Sequence, residues 1–286
     1  MSFINKYLHL YTIKQMCKVL KFPRSTYYKA LKSEPSNKQI EYEAFSEKVI
    51  TKFNESKQRY GAVKLQRKLT SEGVNCSIKR VQLHMVRNGL RSVVSKKYKP
   101  HSSKNEILEK ENILNRDFET RTINEKWCTD ITYIHVLKEG WTYLTSVMDL
   151  HTRKIIGYSY GCKITAELAK RAVENACMNV SNTEGIILHS DLGTQYTSQL
   201  FESYIDQKKM IHSFSRKGNP YDNACIESFH SVLKKEEVHR TIYKDFNEAN
   251  KAIFEYIESW YNRSRIHSSI NYMTPQQKED ELLGVA

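Results

Sequence analysis

The chain has 286 residues, a formal net charge of +13 and 40% hydrophobic residues, among them 18 Tyr, 10 Phe and 3 Trp, which excludes a wholly disordered chain. No apolar run reaches the roughly 18–20 residues that cross a bilayer, and the first twenty residues carry Lys6, Lys14 and Lys18 without a signal-type apolar block, so a cytoplasmic protein is expected. Residues 1–120 hold 25 Lys and Arg against 11 Asp and Glu (+14), whereas residues 121–286 hold 20 against 21 (−1), so a polyanion partner is expected at the front of the chain.

Thr12 and Gln15 form a capping-box pattern ahead of Ile13, Met16, Cys17 and Leu20 at helical spacing. A second short helix over 25–31 would complete either a helix-turn-helix, with Arg24, Lys29 and Lys32 placed for phosphates, or an ordinary helical hairpin. After the linker signal at 34–37, Phe45, Val49 and Phe53 mark a helix over 40–53. Val63, Leu65 and Leu69 mark the next helix, which Gly73 breaks. Ser77 caps a third, bearing Ile78, Val81 and Met85. That third helix carries Lys79, Arg80 and Arg87 and is followed by Arg91, Lys96, Lys97 and Lys99, so it reads as a DNA-contacting helix or as a solvated basic face.

A polar connector runs over 101–125, with Ile107, Leu108 and Leu114 suggesting some helix. The residues 127–136, 141–150 and 154–160 are rich in Thr, Ile, Val, Tyr and Trp and predict a three-strand meander. A helix over 166–180, a buried strand at 186–188, a helix over 199–206, a strand over 210–214 and a helix over 222–237 follow. The order βββαβαβα predicts an α/β fold with a mixed five-stranded sheet flanked by helices. Beyond it, Asp245 and Glu248 resemble a capping box for a helix with Phe246, Ala249, Ile253, Ile257 and Trp260 on one side. Arg263, Arg265 and His267 then either touch DNA or form a solvated terminus.

The six cysteines are scattered, with no Cys-x-x-Cys pair, which argues against a structural zinc site. The chemistry-bearing residues are instead acids. Asp130 lies inside an apolar strand, where a carboxylate is costly unless paired or metal-bound. Asp191 sits just past a buried strand, where open α/β sheets place ligands. Glu227 lies on a following helix, 35 residues beyond Asp191, and Lys234 is seven residues further on the same face. Such carboxylates suit phosphodiester chemistry with two divalent ions roughly 3.5–4 Å apart. Asp222 is expected to cap the Glu227 helix, Gly193 and Gly218 to occupy turns with unusual backbone angles, and His189 to be a hydrogen-bonded strand-end histidine.

The motifs Trp127-Cys-Thr-Asp130-Ile-Thr-Tyr133, His189-Ser-Asp191-Leu-Gly-Thr-Gln-Tyr-Thr-Ser198 and Ser215-Arg-Lys-Gly-Asn-Pro-Tyr-Asp-Asn-Ala-Cys-Ile-Glu227 carry a resemblance. With them go Lys234 and the tail Trp260-Tyr-Asn-Arg-Ser-Arg-Ile-His267 followed by Pro275. Together they resemble the DDE transposases of bacterial insertion sequences, the second-reading-frame products, which are related to retroviral integrase. The resemblance spans essentially the whole chain. Leu192 departs from the polar residue of many relatives.

The resemblance implies a ribonuclease H-like core at 123–240, preceded by an all-α region with helix-turn-helix units at 1–33 and 38–95 and a linker at 96–122, and followed by a helical tail at 241–286. It implies that Asp130, Asp191 and Glu227 are catalytic and bind two Mg²⁺ or Mn²⁺ ions, and that the reaction is strand cleavage and joining at transposon ends. Lys234, Lys79, Arg80, Arg87, Arg91, Lys96, Lys97, Arg216 and Lys217 are the expected DNA contacts. The expected partners are double-stranded DNA of the element ends and target, further copies of the chain, and an upstream-frame protein or fusion. A non-catalytic DNA-binding repressor and a nuclease without joining activity are the competing readings.

Overall fold

The computed structural model describes residues 2–32, 35–93, 110–216 and 220–284. The front is helical. Helices α1 (Ser2–Lys6), α2 (Ile13–Val19) and α3 (Arg24–Lys32) close around Ile4, Met16, Cys17 and Tyr27. The expected capping box opens α2, with Thr12 accepting from the Gln15 N–H and the Gln15 side chain reaching back. Helices α4 (Asn37–Glu55), α5 (Ala62–Ser71) and α6 (Ile78–Arg87) pack Phe45, Val49, Phe53, Leu65, Leu69 and Val81 into a second cluster. Gly73 takes φ +83° just after α5, a conformation that costs a side chain strain, and Ser77 caps α6.

The remainder is the mixed sheet, in the order β3-β2-β1-β4-β5. Strands β1 (Lys126–Val136), β2 (Gly140–Asp149) and β3 (Ile155–Gly161) form the antiparallel meander, and β4 (Ile187–Ser190) and β5 (Ile211–Phe214) add in parallel. Helices α7 (Ala166–Cys177) and α8 (Gln199–Gln207) bury Ala169, Ala172, Val173, Phe201 and Ile205 against one face. Helices α9 (Ala224–Glu236) and α10 (Phe246–Phe254) bury Ile226, Phe229, Leu233, Ala249 and Ile253 against the other. Alternation along β1 explains both faces, because Cys128, Ile134 and Val136 point to one cluster and Trp127 and Ile131 to the other. Gly157 allows α7 to lie close on β3, since a Cβ there would stand 2.4 Å from the Ala172 carbonyl oxygen.

Three segments differ from expectation. The helix expected over 222–237 begins as a 3₁₀ turn, Pro220–Asn223, before α9. After α10 the backbone widens into a π-helical stretch, Glu255–Tyr261, so Tyr256 and Tyr261 are buried beside Ile257 and a strict 3.6-residue stripe is lost. Helix α11 (Pro275–Leu283), opened by a Thr274–Gln277 capping box, lies in the tail. Of the expected connector, residues 110–122 run along the sheet, where Leu114 is buried and Glu111 accepts from the Phe214 N–H. Ile107 and Leu108 lie outside the described residues.

Candidate active site

The parallel ladder between β1 and β4 pairs Cys128 with His189. Asp130 lies two residues beyond Cys128 on β1 and Asp191 two residues beyond His189, just past β4, so both stand at the carboxyl end of the parallel pair. Asp191 follows the last residue of β4 and its Oδ1 accepts the Gly193 N–H at 2.9 Å. A side chain at Gly193 would have to displace the Gln195 and Asp191 side chains. A Cβ there would stand 2.9 Å from Asp191 Oδ1 and 2.2 Å from the Gln195 amide nitrogen. The unusual backbone angle expected of Gly193 is not found, since the described glycines with positive φ are Gly73, Gly89, Gly140, Gly185 and Gly284. Gly218 lies outside the described residues.

Glu227 stands in the first turn of α9. Burial raises the Asp191 carboxyl to about 6, repulsion from Asp130 adds to it, and the Gly193 N–H opposes both. The Glu227 carboxyl is also raised to about 6, by partial burial, then by repulsion from Asp130 and from Asp191. Because Glu227 keeps an exposed side, water weakens each of these effects there. The Asp191 and Glu227 carboxyls therefore both lie in the field of the Asp130 charge.

Two further residues of α9 complete the arrangement. His230, one turn beyond Glu227 and buried, places Nδ1 3.3 Å from Asp130 Oδ2 and Nε2 3.4 Å from Ser146 Oγ. Sequence reasoning missed this histidine, although its i+3 and i−4 spacing to Glu227 and Lys234 puts it on their face. Lys234 is half-buried, and burial lowers its ammonium pKa while the Asp130 charge opposes that.

The start of α9 is pinned by neighbours of the acids. Asn223 Nδ2 donates to the Thr129 carbonyl at 3.2 Å, and buried Thr129 and Tyr196 hydroxyls lie 3.2 Å apart. Contrary to expectation, Asp222 does not cap α9. Its fully buried carboxylate accepts from Arg116 Nε at 2.6 Å, Asn112 Nδ2 at 2.9 Å and the Arg216 backbone and Nε at 3.0 Å. Burial alone would raise that carboxyl, but the Arg216 and Arg116 hydrogen bonds outweigh it and hold it at about 2. His189 meets expectation, with Nδ1 2.9 Å from Ser213 Oγ and Nε2 2.9 Å from Ser215 Oγ. Burial lowers its pKa to about 4, so the ring is neutral at physiological pH.

Among the described residues no three His, Cys, Asp or Glu side chains form a preformed ion cage. The donor set nonetheless suits a hard divalent cation. Asp130, Asp191 and Glu227 offer carboxylate oxygens, and their mutual repulsion is what such a cation relieves.

The expected DNA contacts fall into three groups. Lys79, Arg87 and Arg91 are exposed on or just after α6. Arg80 pairs with Glu41 at 2.8 Å and stacks on Phe45, and Arg216 is tied to Asp222 with its side chain 49% exposed. Lys96, Lys97 and Lys217 lie outside the described residues. The tail corrects one expectation, because Arg265 is neither solvated nor presented to DNA. It is buried against Glu236, which also accepts from the Tyr256 hydroxyl and Trp260 Nε1, each at 3.0 Å. Arg59 of the helical front closes this knot by donating to the Glu236 carbonyl and to Glu237.

The chain is similar to known proteins along nearly its whole length. Integrase core domain models match residues 121–220 and 208–275, and an HTH-like domain model matches 41–98. The transposase for insertion sequence element IS904 of Lactococcus lactis is 39% identical over 86% of this chain and 97% of its own length. Transposase InsF for insertion sequence IS3A of Escherichia coli is 37% identical over 98% of both chains. The HTLV-2 integrase catalytic core domain, solved in complex with magnesium, covers 54% of this chain at 18% identity and a TM-score of 0.41, with 95% of that domain matched. An HTH-like domain ahead of an integrase core implies DNA binding, and no described helix is long and apolar enough to cross a membrane. With such relatives along nearly its whole length, the chain belongs to the insertion-sequence transposases, enzymes of the DDE transposase and integrase kind.

Proposed function

We propose that Asp130, Asp191 and Glu227 are the catalytic carboxylates of this transposase, that together they hold two Mg²⁺ or Mn²⁺ ions, and that the site cuts and rejoins DNA at the ends of its insertion sequence. The observation that carries the reading is the electrostatic coupling of the three acids. Asp130 acts on both others, from two adjacent parallel strands and one helix. Bound divalent ions would supply Lewis-acid stabilisation for the attack of water, and then of a 3′-hydroxyl, on a phosphodiester. The protein's part is placement. Asp130 is held by the β1–β2 ladder, Asp191 by the turn past β4 where Gly193 N–H donates to it, Glu227 by the pinned start of α9, and the Asp130 carboxylate is oriented by His230.

Lys234 lies on the same helix face and within reach of the Asp130 charge, where its ammonium would engage the backbone phosphate. The exposed cations of α6, Lys79, Arg87 and Arg91, with Lys96, Lys97, Arg216 and Lys217, would grip DNA around it, Arg80 adding its free edge. The reading divides the chain into helix-turn-helix units at 1–33 and 38–95, a linker at 96–122, the core at 123–240 and the tail at 241–286. Joining two element ends to one target calls for more than one copy on DNA, with an upstream-frame protein as a further partner.

The test is a metal-dependent nicking and joining assay on a duplex carrying the element end. Asp191→Asn is expected to abolish both cutting and joining while the DNA still shifts in a gel. An Asp191→Asn protein that cuts and joins at the wild-type rate overturns the assignment.

A further inference from the structure

A pocket of about 700 Å³ lies at the far end of the β1–β2 hairpin, and Lys234, two turns beyond Glu227 on α9, is part of its lining. Tyr133, His135, Trp141 and Tyr143 line one wall, and Lys234 and Ile242 stand on the other. Strand register explains the ring cluster. Tyr133 pairs with Tyr143 and His135 with Trp141 across the antiparallel ladder, so all four rings share one face. The centroids of Tyr133 and Tyr143 are 5.4 Å apart at 66°, and those of His135 and Trp141 are 5.2 Å apart at 82°. These edge-to-face contacts hold the rings upright. Yet Trp141 is 59% exposed, Tyr133 51% and Ile242 77%, a concentration of apolar surface that marks a binding site more than a solvated face.

The edge is open as well. Strand β4 pairs only with residues 126–128 of β1, so on that edge β1 has no described strand beside it from Asp130 to the bridge between Val136 and Tyr243. Lys234 connects the two places, because it lines the pocket and lies in the field of the Asp130 carboxylate. The occupant must then offer a flat face to the rings and an anionic group to Lys234, the residue shared with the Asp130 side of α9.

We infer that this pocket takes an unpaired nucleobase of the DNA strand whose phosphate lies at the acids, with the base stacked on Trp141 and Tyr133 and its own phosphate on Lys234. The inference rests on the proposed role of the acids. A paired base keeps its faces inside the duplex, so an unpaired tail or a base flipped from the stack can enter and an intact duplex cannot. A second copy of this chain is a poorer occupant, since an apolar partner surface would bury the Lys234 ammonium without a counter-charge.

The experiment uses the whole protein in EDTA, so that no chemistry is required. The probe is a duplex with a short unpaired 3′ tail containing 2-aminopurine, compared with the same duplex blunt. Wild-type protein is expected to quench the 2-aminopurine. Trp141→Ala should weaken tailed binding about five- to hundredfold, with blunt binding unchanged, and Trp141→Phe should retain most of the affinity. Since Trp141 is largely exposed, its loss leaves the core intact. No quenching by the wild type overturns the inference, as does equal weakening of tailed and blunt DNA, or a Trp141→Ala effect confined to the oligomeric state. The two readings fail separately. Asp191→Asn should bind the tail like the wild type, and its activity judges only the carboxylates, whereas the quench judges only the pocket.

Discussion

Nδ1 of His230 stands 3.3 Å from Oδ2 of Asp130, which ties helix α9 to the middle of strand β1. Glu227 lies one turn away on that helix, so one contact fixes the spacing of two acids carried by different elements. His230→Ala is expected to lower the single-turnover cleavage rate about 10–100-fold and to raise the Mg²⁺ concentration needed for half-maximal rate, while DNA affinity is kept. His230→Gln should restore part of the rate. Unchanged metal dependence in His230→Ala would show that the ring only fills space.

The acids make stability depend on pH. With its folded pKa at about 6, above the unfolded value of about 3.9, Asp191 holds an extra proton in the folded state between those values. The stability this gives is complete below the unfolded pKa and is lost as pH rises through about 6. In EDTA, the melting temperature should therefore fall between pH 5 and 7. Asp191→Asn should flatten that fall and raise the pH 7 melting temperature by about 2–4 °C. Thermal melts at several pH values, with and without Mg²⁺, check the sign.

Glu236 and Arg265 form a buried pair, with the side chains 1% and 11% exposed. Removing one partner strands the other charge, so Arg265→Ala should destabilise the protein by about 3–5 kcal/mol in urea unfolding. The slope of DNA affinity against salt should stay as in the wild type once measured on folded protein. A reduced slope would return Arg265 to the DNA contacts.

The exposed cations of α6 should behave the opposite way. Lys79→Ala is expected to leave the melting temperature nearly unchanged and to reduce the log–log salt slope of duplex binding by about 0.9. Arg87→Ala should reduce the slope alike but also lose the contact of its guanidinium with the Tyr42 ring, 5.5 Å from the centroid. Arg80→Ala should affect both quantities, because that guanidinium also stacks on Phe45 4.1 Å from the ring centroid. Titrations at several salt concentrations separate the three.

The period-two runs between 127 and 160 and the apolar strand before Asp191 made the sheet legible, because alternation reports a face directly and β1 serves two cores. Asp130 stands out in the sequence because an apolar strand makes a carboxylate costly, and Asp191 and Glu227 stand out by strand-end position and by spacing, which is what puts them forward as the proposed catalytic acids. His230 was not, because its partner lies 100 residues away and helical spacing shows the face without showing what meets it. Asp222 misled by position. A carboxylate just ahead of a helix resembles a cap, and only the fold brings Arg116 and Arg216 onto it. Arg265 misled in the same way, as the acid that neutralises it belongs to another element. The π-helical stretch escaped because its burial follows a wider turn than the pattern sought.

Ile266 and Trp260 of the tail pack into the cluster built by α4, α5 and α6, and Trp260 also packs against the sheet core. The helical unit is thus synthesised early with its apolar floor unfinished, and the residues that finish it leave the ribosome only after the whole catalytic sheet has been made. A chain stopped before Trp260 would carry its basic helices over an open core. Truncation ahead of Trp260 would therefore remove core from the helical unit at the front as well as the tail itself.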